Sequence, residues 1–392
     1  MAGEIRRSGI RAGVLAGALA LSAVAAAGVQ QATPPAAPPK PAAAQPQVPL
    51  MTPEDRAAAS TDYQRYCALC HGDDRQGHAN DHAPSLRSRS LLQSEGAVAY
   101  FDAIRYGRPG TPMGGYLDEV GGPLDRDGLR RLVTWLSLES GVDEMEDPAP
   151  LPPLPAEGDL THGGQLYAAQ CASCHGDNGQ GGTGTALRNP TMLALTPDEF
   201  LQAAIVRGRD GTPMEPFGDT LDGHDIASIL GWLRAGVDTG PGAHPTTIAL
   251  AEPPAVEDYV INPQGKAPEF TLTDGMFVDA AQLKRVLEQK PRMVLLDTRV
   301  MSSWQVGHIA GAVPVPYYSS RDEVIAGLPR DGTWIVGYCE CPRAAAVSVI
   351  KRLREQGFKN TAVLYEGIGG WVLAGYPTVR GRVRATIPPK AP

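Results

Sequence analysis

Cysteine is scarce in this chain of 392 residues. The six present are grouped too unevenly for a disulfide framework: Cys67, Cys70, Cys171 and Cys174 form two C-x-x-C pairs, and Cys339 and Cys341 sit together as C-E-C. Lysine is missing from residues 52–250, where 14 Arg stand against 28 acidic residues for a net charge of −14. That field attracts basic partners, and no nucleic-acid partner is expected. Residues 268–392 reverse the sign, with 16 Lys or Arg against 11 acids, which suits small anions or the acidic half itself. A long apolar run is also lacking. The stretch Ala12–Ala27 is about sixteen residues, short of the ~20 that a membrane span needs. Preceded by Arg6, Arg7 and Arg11 and offering small residues at Ala23-Val24-Ala25 and Ala25-Ala26-Ala27, it reads as an export signal. The expected location is periplasmic or otherwise exported, with membrane attachment only if this segment stays uncleaved.

What the chain does have is two five-residue words, Cys67-Ala-Leu-Cys70-His71 and Cys171-Ala-Ser-Cys174-His175. Each is a C-x-x-C-H, the attachment site of a c-type haem. Two thiols one helical turn apart reach the two vinyl groups, and the adjacent histidine meets the iron. Each word is followed by a methionine in a shared context, Gly107-Arg-Pro-Gly-Thr-Pro-Met113 and Gly208-Arg-Asp-Gly-Thr-Pro-Met214. Forty-two residues separate His71 from Met113 and thirty-nine separate His175 from Met214, so one haem unit is duplicated. His78, His82, His162, His224 and His244 recur at no equivalent places and read as surface or loop histidines.

Composition and pattern divide the chain. Residues 1–27 are the signal peptide or anchor and 28–51 a Pro/Ala-rich tether that cannot bury a core. The first haem unit covers 52–144. It opens at Thr52-Pro53-Glu54-Asp55, a helix N-cap with proline and acids in the first turn, and closes with a helix over 125–140. A Pro-rich joint, 145–157, leads to the second unit, 158–240, where Thr196-Pro-Asp-Glu199 reads as a capping box. A linker over 241–267 precedes 268–384, where the apolar runs 292–296, 334–338 and 361–365 alternate with helical segments. That grammar argues for a parallel sheet covered on both faces. Residues 385–392 are a tail.

Residues 52–240 resemble two tandem class I cytochrome c domains, through C-x-x-C-H-G, the G-T-P-M loop and a closing amphipathic helix with an aromatic residue. The resemblance implies two covalent haem c groups, His71 and His175 as proximal iron ligands, and Met113 and Met214 as distal ones. An iron ligated on both faces has no vacant position, which favours electron transfer over oxygen chemistry.

Residues 268–384 resemble a rhodanese-like domain, through Leu296-Asp297-Thr298-Arg299, Gly307-His308-Ile309-Ala-Gly311-Ala312, Tyr338-Cys339, and Glu366-Gly367-Ile-Gly-Gly-Trp371 with Pro377. The expected fold is thus multidomain: two all-α cytochrome c domains followed by an α/β rhodanese-like domain with a parallel sheet. The family's nucleophile corresponds to Cys339, expected as an exposed loop thiol near a helix N-terminus. The loop departs from the usual C-x-x-G-x-R-S: it reads Cys339-Glu340-Cys341-Pro342-Arg343-Ala344-Ala345. Arg343 comes four residues after the cysteine, and Glu340 places a negative charge beside the thiol. Three roles stay open: Cys339 carries sulfane sulfur, with Arg343 and Cys341 assisting; Cys339 and Cys341 cycle as a redox sensor; or the domain is an inert docking module. The expected partners are a redox protein (a cytochrome or membrane oxidase) and a small sulfur anion.

Overall fold

The computed structural model describes residues 51–77, 83–95, 98–108, 111–140, 148–240, 250–340 and 343–380. The export segment, the tether, His78, His82, His244, Cys341, Pro342 and the tail lie outside the described residues.

The first haem unit begins with α1 (Pro53–Tyr66), whose N-terminus is closed as expected: the Thr52 hydroxyl accepts from the Asp55 amide at 3.1 Å, and Glu54 and Asp55 face the helix dipole. The helix breaks at Cys67 and restarts as the single turn α2 (Ala68–His71). Next come α3 (Arg89–Glu95), α4 (Val98–Tyr106) and α5 (Arg126–Ser140). The apolar face of α5, Leu129, Leu132, Val133 and Leu136, is buried in one cluster with Tyr63 of α1 and Trp135.

The second unit repeats the plan with α6 (Leu160–Gln170), α7 (Ala172–His175), α8 (Pro190–Leu195), α9 (Asp198–Arg207) and α10 (Gly223–Arg234). Here α6 and α10 approach so closely that a Cβ on Gly163 would lie 2.0 Å from the Ser228 carbonyl oxygen, so only glycine fits. One expectation is corrected. Thr196 does not cap α9: it ends α8 in an extended conformation, and Pro197 occupies the cap position without a side-chain bond. The capping box of this unit is Asp222 with Asp225, at the start of α10.

The C-terminal segment runs β1 (Phe277–Val278), α11 (Ala280–Glu288), β2 (Met293–Asp297), α12 (Met301–Val306), β3 (Ala312–Pro314), α13 (Arg321–Ile325), β4 (Trp334–Tyr338), α14 (Ala344–Glu355), β5 (Thr361–Leu364) and α15 (Gly367–Leu373). The five strands form one parallel sheet in the order β1-β5-β4-β2-β3. Along β2, Met293 and Leu295 enter one apolar cluster and Val294 and Leu296 the other. Both faces are therefore covered, which explains the uninterrupted apolar run. Strands β1 and β3, of two and three residues, are too short to show a period. Among the described residues no helix is long and apolar enough to cross a membrane.

Candidate functional site

Each C-x-x-C-H word forms the single helical turn that restarts after its entry helix ends at the first cysteine. The Cys67 amide donates to the Tyr63 carbonyl at 2.8 Å and the His71 amide to the Cys67 carbonyl at 2.9 Å; the second word repeats this at 2.9 and 3.0 Å with Tyr167 and Cys171. The chain leaves each word through a left-handed glycine, Gly72 at φ 79° and Gly176 at φ 81°. A buried tyrosine locks each exit: Tyr63 donates to the Gly72 carbonyl at 2.6 Å and Tyr167 to the Gly176 carbonyl at 2.7 Å.

Both histidines are oriented through Nδ1, which lies 2.9 Å from the Pro84 carbonyl in His71 and 2.8 Å from the Thr185 carbonyl in His175. An Nδ1–H donated to a carbonyl selects the tautomer with its lone pair on Nε2, the form that ligates a metal. Burial pushes the His175 imidazole down from its ordinary value, which favours this neutral form. The acceptor is 13 residues beyond His71 but 10 beyond His175, and from Pro84 to Met113 and from Thr185 to Met214 the distance is 29 residues in both. The whole three-residue difference between the repeats thus falls in the loop after the histidine.

The methionine loops share one hydrogen-bond pattern. Thr111 donates to the Arg108 carbonyl at 2.7 Å and accepts from the Met113 amide at 3.2 Å. Thr212 does the same with Arg209 and Met214, at 2.7 and 3.2 Å. The Met carbonyl then accepts from Arg108 at 2.7 Å and from Arg209 at 2.8 Å. Glycine opens each loop because a Cβ there would strike that carbonyl, at 2.4 Å from Gly107 and 2.5 Å from Gly208. Paired thiols, an oriented imidazole and a thioether on a threonine-braced loop are the donor types that haem c takes, and these residues could hold one. The first word is the more buried: Cys67 and His71 are each 9% exposed, whereas Cys171 and His175 are half-buried and Cys174 is exposed.

In the C-terminal segment Cys339 follows directly from β4. It is 3% exposed and belongs to the apolar cluster of α14. This corrects the expectation of an exposed loop thiol: the strand carries the residue straight into the core, and its carbonyl accepts from Ile368 at 2.8 Å. Gly367 (φ +62°) lies against it, where a Cβ would fall 2.4 Å from that carbonyl. Arg343 precedes α14 and turns to the β5 side, its guanidinium 4.1 Å from the Tyr365 ring centre and donating to the Tyr365 carbonyl at 3.2 Å.

A cation beside Glu340 is one to which sequence reasoning gave no role. Arg299 forms a bidentate pair with the fully buried Asp297, at 2.9 and 2.6 Å, and lies 3.9 Å from Glu340. Burial works against its charge, but Asp297 and Glu340 together hold its pKa above the ordinary value. Tyr338 completes the group by donating to Asp297 at 2.9 Å. The Glu340 carboxyl is pushed up to about 7, chiefly by burial, with Arg299 opposing and Asp297 adding to the rise. Glu340 therefore carries only part of a negative charge at neutral pH, less than its sequence position implies.

Residues 54–136 and 158–233 match the family model described as cytochrome C oxidase, cbb3-type, subunit III, and residues 279–374 match the rhodanese-like domain model. Cytochrome c55X of Stutzerimonas stutzeri is 39% identical over 71 residues, 18% of this chain and 62% of that protein. Cytochrome c55X of Pseudomonas aeruginosa is 41% identical over 68 residues, 17% of this chain and 53% of that protein. The chain thus spans little more than half the length of these curated relatives. A rhodanese-like domain of Anabaena sp., solved by NMR, is 29% identical with a TM-score of 0.25, over 29% of this chain and 86% of that one. By the two family models, the chain carries two tandem segments similar to cytochrome c domains, followed by a segment similar to a rhodanese-like domain.

Proposed function

We propose that the protein is an exported dihaem cytochrome c whose rhodanese-like domain binds sulfane sulfur on Cys339 and couples its oxidation to electron transfer. The observation that carries the dihaem reading is the duplicated donor set: the same histidine–carbonyl bond and the same threonine-braced methionine loop occur in both repeats. Cys67 and Cys70 would hold one haem with His71 and Met113, and Cys171 and Cys174 the other with His175 and Met214. When bound, the two groups would supply two one-electron couples without an open iron position.

For the sulfur step, a Cys339 thiolate and a hydrosulfide ion join in an S–S bond, giving the persulfide, one proton and two electrons. Two one-electron couples match that stoichiometry. The N-terminus of α14, which starts at Ala344 five residues after Cys339, favours an anionic sulfur species there. The acidic haem half favours a redox partner with a basic face, a cytochrome or membrane oxidase. Export is supported by the basic-then-apolar N-terminus and by covalent haem words. Sequencing the N-terminus of the purified protein and fractionating the cells would test it, and retention of Met1 in a membrane fraction would replace a cleaved signal with an anchor.

The burial of Cys339 and the engagement of Arg343 by Tyr365 favour a second reading, an inactive docking module on a plain electron carrier. Anaerobic visible spectroscopy separates the two. The oxidised holoprotein is titrated with sulfide, thiosulfate or polysulfide beside Cys339→Ser, after haem content is confirmed in both. Haem reduction that disappears in Cys339→Ser supports the coupling. Equal reduction in both proteins, or none in either with normal dithionite reduction, selects the docking module.

A further inference from the structure

The two repeats differ in sequence at the positions where one of them meets the C-terminal domain. Residue by residue from the haem words and methionines, the first repeat has Tyr66, Gly114, Gly115 and Tyr116 where the second has Gln170, Glu215, Pro216 and Phe217. In the second repeat Gln170, Glu215 and Pro216 are exposed. In the first, Tyr66, Gly115 and Tyr116 are buried, and the segments following β2 and β3 account for it.

Those contacts hold both the segment that leads into Cys67 and the segment that follows Met113. On the proximal side the Tyr317 hydroxyl donates to the carbonyl of Tyr66, the residue before Cys67. Tyr116 donates to the same carbonyl at 3.2 Å, and its hydroxyl lies 2.7 Å from that of Tyr317. Tyr318 packs edge-on against the Tyr66 ring at 5.1 Å, and its carbonyl accepts from Arg65 at 3.2 Å. On the distal side Ser302 of α12 donates to the carbonyl of Gly115, two residues past Met113, at 2.6 Å. Val300, 3% exposed, belongs to the apolar core of the first repeat. A Cβ on Gly114 would fall 2.3 Å from Val300 Cγ1 and 2.6 Å from Ser303 Oγ, so glycine is required for the two surfaces to close. The glutamate that the second repeat carries there has no room.

Tyr317 is also tied to the helix beyond the Cys339 loop: Arg352 of α14 donates to the Tyr317 carbonyl at 2.6 Å and to the Ser319 carbonyl at 2.7 Å. We propose that the rhodanese-like domain is a built-in, permanently docked partner of the first haem site alone, with Tyr317 and Ser302 as positioning residues that hold its proximal and distal segments, while the corresponding face of the second repeat stays open. This inference concerns docking and ligand positioning and does not rest on sulfur chemistry.

The test uses the full-length holoprotein, with small-angle X-ray scattering for compactness and potentiometric titration resolving the two haems. Gly114→Glu is expected to enlarge the radius of gyration and shift the potential of one haem, with the other unchanged. The mirror variant Glu215→Gly is expected to change neither. The double variant Ser302→Ala/Tyr317→Phe leaves the haem domains untouched and is expected to shift the same haem. It decides the matter if Gly114→Glu fails to fold. Unchanged potentials in that double variant, or equal shifts of both haems, would overturn the proposal.

Discussion

The carbonyl oxygen of Met214 lies where a side chain on Gly208 would begin: a Cβ there would be 2.5 Å away, and the backbone at φ 63°, ψ −160° belongs to a region nearly exclusive to glycine. Gly208→Ala is therefore expected to cost about 1–3 kcal/mol in stability and to loosen the methionine loop. Chemical unfolding would read the first effect. Loss of the thioether-ligation signature of one ferric haem, with a fall in its potential, would read the second.

Thr212 bridges two backbone groups of that loop. Thr212→Val keeps the shape and removes the hydroxyl, with an expected loss of about 1–2 kcal/mol and a smaller fraction of methionine-ligated haem. Thr212→Ser should restore both. If Thr212→Val and Thr212→Ser behave alike, the bridge has no role in holding Met214.

Asp297 and Arg299 form a buried ion pair that Tyr338 completes. Asp297→Asn removes the bidentate counter-charge and leaves the guanidinium only Glu340 at 3.9 Å, and is expected to destabilise the C-terminal domain by about 3–5 kcal/mol. Adding Arg299→Met should recover much of the loss. Urea unfolding of the single and double variants checks this, and an additive double variant would contradict it.

Glu340 has a raised pKa in the folded protein, about 7 against an ordinary 4.5. The folded state then binds the proton more tightly than the unfolded chain, so the favourable contribution is complete at low pH and is lost as pH rises through about 7. The cost at pH 8 is on the order of 3 kcal/mol. Glu340→Gln should raise stability at pH 8, leave it nearly unchanged at pH 5, and flatten the profile between. Parallel pH profiles for the two proteins would show that Glu340 titrates normally.

Much of this molecule was legible in its sequence because covalent haem attachment demands fixed residue types at fixed spacing. The words Cys67 to His71 and Cys171 to His175 stand out by spacing alone, whereas what the repeated glycine and threonine before each methionine do is visible only in the hydrogen bonds and close approach of the loop. The strands around 293–297 and 334–338 showed as apolar runs because both faces of the sheet are covered. Other features depend on tertiary packing. Thr196 fits a capping pattern locally, but the end of α8 takes it first. Cys339 sits in a loop by motif and in the core by packing. Arg299 could be seen only as one residue of a family word until Asp297 and Glu340 were placed beside it. The contrast between Gly114 and Glu215 is visible in the sequence, but its meaning comes only from Val300 and Ser303.

The asymmetric covering of the two repeats has a kinetic consequence. A carrier with one accessible edge must meet its donor and its acceptor in turn, each at a rate set by concentration. Here the first repeat faces a segment of the same polypeptide, so that contact is unimolecular and indifferent to dilution. Dilution slows traffic at the other edge alone. In dilute solution the first repeat therefore keeps its neighbour, while whatever meets the exposed Glu215 and Pro216 of the second repeat arrives more and more rarely.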